Sequence, residues 1–115
     1  MSDTLSNLAS DLDLIRNAAE AAGRLALAER EAGLKIWSKP GGSPVTSADM
    51  AVDEMLKTAL LSARPDHGWL SEETADSAER LSKSRIFVVD PIDGTVAFMK
   101  GKPWWCIPIA IVEDG

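Results

Sequence analysis

The chain of 115 residues is 45% hydrophobic and 26% charged, with 18 acidic against 12 basic side chains and a formal charge of −6. That length supports one core and excludes a second complete domain. The acidic balance excludes tracking along a nucleic-acid polymer, which needs a basic face to neutralise phosphates. Cys106 is the single cysteine, so the chain forms no internal disulfide and no cysteine-rich zinc centre. Its place in the apolar run Trp104 to Val112 predicts a buried core thiol. That run is far shorter than the roughly 18 residues a membrane span needs, and the start Met1-Ser2-Asp3-Thr4 lacks the basic-then-apolar order of a secretory signal. A cytoplasmic location is expected.

Leu5, Leu8, Leu12, Ile15, Ala19, Ala22 and Ala26 recur at steps of three and four, which predicts one long amphipathic helix. Asp3 or Thr4 would cap its start, and Gly33 suits its end. Leu34 to Trp37 reads as a short strand. Ser38-Lys39-Pro40-Gly41-Gly42-Ser43-Pro44 is too heavily punctuated for regular structure and predicts a mobile loop, either a linker or a lid. A second helix begins near Thr46, with Ala51, Val52, Met55, Leu56, Ala59 and Leu60 on one face, and stops before Pro65.

Trp69-Leu70-Ser71 reads as a strand running into Glu72-Glu73, and Thr74 to Ser84 as loop or short helix. Ile86 to Val89 is apolar on both faces, as in a central, doubly covered strand. It ends in Asp90-Pro91-Ile92-Asp93-Gly94-Thr95, where Pro91 must leave the hydrogen-bond ladder. The last strand, Trp105 to Val112, contains Pro108 and so belongs at an edge or a bulge. Asp114-Gly115 is a hairpin signal with no strand after it.

Two strand ends thus deliver carboxylates: Glu72 at one, Asp90 and Asp93 at the other. Acids brought this close repel one another unless they take up protons or share a cation. All the donors are hard oxygens, which suits a divalent ion such as Mg²⁺. Pro91 turns the backbone so that Asp90 and Asp93 can face one point and frees the Ile92 carbonyl. Gly94 tolerates positive φ, and Thr95 stands where a helix N-terminus, able to bind phosphate oxygens, would begin. Taken as two acids three apart, the same turn would serve as an Asx-turn and helix cap. Asp49, three residues after Thr46, completes a capping box and is favoured there by the helix dipole. It could at once accept a hydrogen bond from Thr95. Lys39 could approach a bound anion, with solvation as the plain alternative. Trp104 and Trp105 could stack on a base or pack under the sheet. His67, in a Pro-Asp-His-Gly turn, is not expected to be catalytic.

Three blocks in order, Ser43 to Asp49, Trp69 to Thr74, and Phe87 to Thr95, carry a specific likeness. The chain resembles the inositol monophosphatase superfamily of metal-dependent phosphomonoesterases. Ser71, where many relatives have glycine, and the Ser-Pro-Val-Thr block are most similar to the bacterial 3′(2′),5′-bisphosphate nucleotidase branch. The resemblance implies an α/β, sugar-phosphatase-like fold, with two helices on a mostly antiparallel sheet. Residues 1–115 would be the N-terminal portion of one such domain. It implies that Glu72, Asp90, the Ile92 carbonyl and Asp93 hold about two or three Mg²⁺ ions in the complete enzyme. Thr95 and Asp49 would orient and deprotonate the attacking water, and the Gly94 and Thr95 N–H groups would hold phosphate. Glu73 has no assigned role.

The expected substrate is adenosine 3′,5′-bisphosphate, with inositol monophosphate second. The expected partners are this small substrate and a second copy of the chain, with no membrane span. Members of the family are longer, and their second half supplies a further aspartate and most substrate contacts. The chain therefore reads as a fragment or truncated product, weakly active or inactive alone. The competing reading is a non-enzymatic divalent-ion-binding module.

Overall fold

The computed structural model describes residues 2–74 and 76–114, with side chains from residue 7 onward. Its elements are α1 (Ser2–Ala32), β1 (Ile36–Ser38), β2 (Pro44–Thr46), α2 (Ser47–Ala63), β3 (Gly68–Ser71), a 3₁₀ turn (Ala78–Ser82), β4 (Arg85–Val89), α3 (Thr95–Met99) and β5 (Ile109–Glu113). The cap expected from Asp3 or Thr4 lies outside the described side chains, and the turn expected at Asp114-Gly115 ends outside them too.

Helices α1 and α2 pack together through the alanine half of the row that periodicity selects, Ala22 and Ala26, with Ala18 beside them, and not through its leucines. Among the described side chains of α1, Asp11, Ala18, Ala22 and Ala26 are buried, whereas Leu8 and Leu12 stay 57% and 56% exposed. The seam follows the small side chains because alanines let two helix axes approach, which the bulkier leucines do not. From α2, Val52, Leu56 and Leu60 enter the same core, with Trp69, Phe87 and Val89 of the sheet and Phe98 of α3. Gly33 closes α1 with φ +107°, as expected.

Two of the three strand pairings are antiparallel, as expected, and the three-stranded sheet is mixed. Its order is β3-β4-β5, and β3 runs parallel to β4 while β5 runs antiparallel to it. A parallel pair needs a crossover of about a dozen residues or more, and the polar segment 72–84 with its 3₁₀ turn supplies one. Two strands running the same way place their C-terminal ends side by side, which brings Glu72 next to Asp90.

The segment expected as a mobile loop is a tight hairpin. Ser38 and Pro44 pair across β1 and β2. Lys39 N–H donates to the Ser43 carbonyl at 2.7 Å, and Gly42 N–H to the Lys39 carbonyl at 2.8 Å. Gly41 and Gly42 supply the left-handed φ values of +99° and +93° that this turn requires.

The last strand starts later than expected, at Ile109, and residues 103–108 cross to meet the acidic turn instead. Asp93 N–H donates to the Cys106 carbonyl at 2.8 Å and Cys106 N–H returns the bond at 3.0 Å. That bridge, ahead of the Pro108 break, leaves Cys106 outside the core. Its thiol is exposed, contrary to the buried position predicted from composition. Trp105 packs edge-on against Phe98 at 4.9 Å, while Trp104 is exposed. None of the described helices is long and apolar enough to cross a membrane.

Candidate metal and phosphate site

The acidic end of the sheet is assembled from three elements. β3 delivers Glu72 and Glu73, β4 delivers Asp90, and the turn into α3 delivers Ile92, Asp93, Gly94 and Thr95. With Lys39 and Val96 and the β2 end at Ser43 and Pro44, these residues line one cavity of about 280 Å³. The expected candidates Glu72, Asp90, Ile92, Asp93, Gly94 and Thr95 are therefore neighbours around one hollow. Among the described residues, however, no three His, Cys, Asp or Glu side chains stand close enough to grip a metal ion between them. The acids converge without forming a finished cage.

Asp49 lies just behind this cavity on α2 and is only 2% exposed. The capping box read from spacing is present: Thr46 N–H and Oγ1 donate to Asp49 Oδ2 at 2.8 and 2.7 Å. In return, Thr46 Oγ1 accepts from the Ala48 and Asp49 N–H groups at 3.2 and 3.3 Å. The second oxygen, Oδ1, faces Thr95 Oγ1 at 3.2 Å. One carboxylate thus caps its own helix and reaches the Asp90–Thr95 turn. Thr95 Oγ1 also lies 3.1 Å from the Ile92 carbonyl, so its single proton has two acceptors. The carbonyl keeps a second lone pair.

Gly94 has φ +87° and ψ +40° and caps α3. A Cβ there would come within 3.0 Å of the Trp104 carbonyl oxygen, so both handedness and close approach require glycine.

The electrostatics are unbalanced. Burial raises the Asp90 carboxyl above its ordinary pKa, and the charges of Glu72 and Asp93 push it further. Among the described residues, Lys39 is the one cation lining the cavity. Its ammonium donates to Glu73 Oε1 at 2.6 Å and stands 3.9 Å from Glu72 Oε2. The hydrogen bond to Glu73 holds the lysine above its usual pKa. The acidic pair divides accordingly: Glu73 is buried and neutralised by Lys39, whereas Glu72 is exposed. Hence Lys39 is ordered against the acidic strand end rather than merely solvated, and Glu73 has a structural partner that sequence spacing did not reveal.

Comparison with known proteins adds to this geometry. Residues 7–115 match the inositol monophosphatase family. The chain belongs to that family. It is 44% identical over 82 residues to a histidinol-phosphatase of Mycobacterium tuberculosis, covering 71% of this chain and 31% of that one. It is 36% identical over 83 residues to the 3′(2′),5′-bisphosphate nucleotidase CysQ of Escherichia coli, covering 71% and 34%. The crystal structure of the extragenic suppressor protein suhB from Bartonella henselae superposes with a TM-score of 0.84 at 29% identity, covering 92% of this chain and 42% of that one. The chain thus spans about a third of the length of these curated relatives.

As an inositol monophosphatase family chain, it is related to phosphatases, a generally metal-dependent group. The donor set here fits a hard divalent cation: three carboxylates and a carbonyl, all oxygen, with Asp90 raised by burial and then by like charges, which a cation would offset. Besides the pairing of Lys39 with Glu73, sequence reading overlooked Asp53, a buried carboxylate one turn after Asp49. The available signal was its i+4 spacing from Asp49 on the face of α2 that turns toward β3.

Proposed function

We propose that this cavity is the metal and phosphate site of a Mg²⁺-dependent phosphomonoesterase. The observation that carries the reading is the convergence of Glu72, Asp90 and Asp93 with Gly94 and Thr95 on one hollow, where burial first, and then the charges of Glu72 and Asp93, hold Asp90 above its normal pKa. Glu72, Asp90, Asp93 and the Ile92 carbonyl would hold the ions. Bound Mg²⁺ would supply the positive charge that admits a phosphate dianion and the acidity that activates water.

The chain's own groups account for proton handling. Both Thr46 donors engage Asp49 Oδ2, so Oδ1 is the oxygen left for Thr95. When the Thr95 hydroxyl donates to that oxygen, its own lone pair is free to accept a hydrogen bond from the attacking water and to fix its direction. Asp49 is then the proton acceptor, reached through Thr95. The N–H groups of Gly94 and Thr95 face the phosphate, and Lys39 offsets the remaining charge of Glu72 and Glu73.

For the substrate, Ser71 and the Ser43–Thr46 block support a 3′-phosphorylated adenine nucleotide. The 44% identity to a histidinol-phosphatase supports histidinol phosphate, and inositol monophosphate completes the set. A cytoplasmic setting and a homodimer, supported by the exposed Leu8 and Leu12, belong to the same proposal.

The test is calorimetric titration of the chain with Mg²⁺ and with Ca²⁺, followed by phosphate release from the three esters. The expected outcome is Mg²⁺ binding that Asp90→Asn abolishes. Any phosphate release should be lost in Asp49→Asn and Thr95→Val. Binding of Ca²⁺ alone, indifferent to Asp90→Asn, would replace the enzyme by a divalent-ion-binding module.

A further inference from the structure

Asp53 is a carboxylate only 4% exposed on α2, and among the described residues no lysine, arginine or histidine forms an ion pair with it. Its donors are hydroxyls: Ser71 Oγ gives its proton to Oδ1, and Thr74 Oγ1 to Oδ2. Each hydroxyl is held in turn, since Glu73 N–H donates to Ser71 Oγ and Trp69 Nε1 donates to Thr74 Oγ1, both at 3.3 Å. The bracket formed by Ser71 and Thr74 encloses Glu72 and Glu73. Burying a charge with no counter-charge is costly, and an apolar side chain on this face of α2 would leave both hydroxyls without their acceptor.

One turn earlier on the same helix, Asp49 takes hold of Thr95 on the other arm of the cavity. Residues four apart on a helix lie one above the other, about 6 Å along its axis. The first turns of α2 therefore grip both acidic arms, the Asp90–Thr95 turn through Asp49 and the Ser71–Thr74 segment through Asp53. The rigid helix between them sets the distance across which Glu72 faces Asp90.

We propose that Asp53 is a positioning residue for the metal ligand Glu72, acting through Ser71 and Thr74. Ser71, at the end of β3, is the hydroxyl that ties the strand end to the helix. The role rests on the metal-site reading above. It concerns the placement of a ligand, in the way partners behind metal ligands govern affinity by orienting them.

The experiment is Mg²⁺ titration of the metal-free chain and of Asp53→Asn, Thr74→Val and the control Leu60→Val. It is paired with hydrogen exchange of the amides of residues 72–74 and with thermal unfolding. The expected result is Mg²⁺ affinity weakened about tenfold or more in Asp53→Asn and by a smaller factor in Thr74→Val. Amides 72–74 should exchange faster in both. Leu60→Val, in the core on the same helix, should lower the unfolding midpoint and leave affinity unchanged. A folded Asp53→Asn with the affinity of the unsubstituted chain overturns the positioning role alone. So does a loss of affinity that Leu60→Val reproduces at equal stability. An unsubstituted chain that takes up no Mg²⁺ overturns both this role and the reading it rests on.

Discussion

Strand β4 begins at Arg85 and hands over to Asp90 after Val89, and its two ends treat acids in opposite ways. At the Arg85 end, Asp11 of α1 is 7% exposed and fully partnered: Arg64 Nε lies 3.0 Å from Oδ1, and an Arg85 guanidinium nitrogen 3.6 Å from Oδ2. Arg64 also donates to Ser10 Oγ, and Arg85 reaches Glu113 on β5. This network ties α1, the end of α2 and both neighbouring strands, and its charges cancel. At the Asp90 end, acids outnumber cations and, among the described residues, Lys39 is the one basic side chain lining the cavity. Balanced charge marks a structural joint, whereas uncompensated charge in a hollow marks a place prepared for a ligand.

Breaking the balanced end should have the largest effect on folding. Asp11→Ala takes the shared carboxylate from Arg64 and Arg85, leaving them Ser10 and Glu113, and is expected to cost about 3 kcal/mol by urea unfolding, at the lower end for a partly exposed network. Its Mg²⁺ titration should be unchanged. A variant that instead lost Mg²⁺ affinity at full stability would erase the contrast between the two ends.

Thr46→Ala tests Asp49, an acid behind the ligand end that is held by donors of its own helix cap. It removes a fully buried cap hydroxyl and should cost about 1–2 kcal/mol in thermal unfolding. Because Asp49 Oδ2 loses a partner, Thr95 should also become less well held, read as faster exchange of the α3 amides.

A smaller effect is expected from His67, which lies near the balanced end. Burial lowers its pKa, Asp11 raises it, and Arg85 and Arg64 lower it again, for a net depression. Its Nε2 is buried without a partner and its ring packs 5.0 Å from Phe87. The unfolded chain therefore binds the His67 proton more readily than the folded chain. The stability this group contributes is complete above its unfolded pKa of about 6.5 and is lost as pH falls below it toward the depressed native value. Replacing His67 with Asn should flatten the pH dependence of the unfolding midpoint between pH 7 and 5. An unchanged slope would remove His67 from the account.

The smallest change in stability is expected at the unbalanced end, and with the opposite sign. Asp90→Asn relieves repulsion from Glu72 and Asp93, so the metal-free chain should unfold at an equal or slightly higher temperature while losing Mg²⁺ binding. A marked loss of stability would show that Asp90 is held by favourable contacts and would sharpen the comparison against the ligand reading.

Helix α2 was legible because its signals are local: Thr46 and Asp49 form a reciprocal cap, and Val52, Leu56 and Leu60 repeat at helical spacing. The acidic turn was equally plain, since Pro91 and Gly94 act on the backbone where they stand. Lys39 and Glu73 were not legible as a pair, because 34 residues separate them and neither carries a periodic signal. Asp53 was hidden for the same reason, its partners lying 18 and 21 residues away. Cys106 was misplaced because an apolar run was read as continuous strand, when the bridge to Asp93 had first claim on its backbone.

Local chemistry alone, then, decided where helices start, where strands stop and which carboxylates stand at strand ends, because caps, prolines, glycines and periodicity act within a turn or two of the chain. Only the tertiary structure decided that β3 and β4 run parallel, that Leu8 and Leu12 stay outside the α1–α2 seam while Ala22 and Ala26 of the same row enter it, and that α2 grips both acidic arms. Those outcomes depend on which distant surfaces fit closely enough to exclude water, and that is a property of the packed molecule.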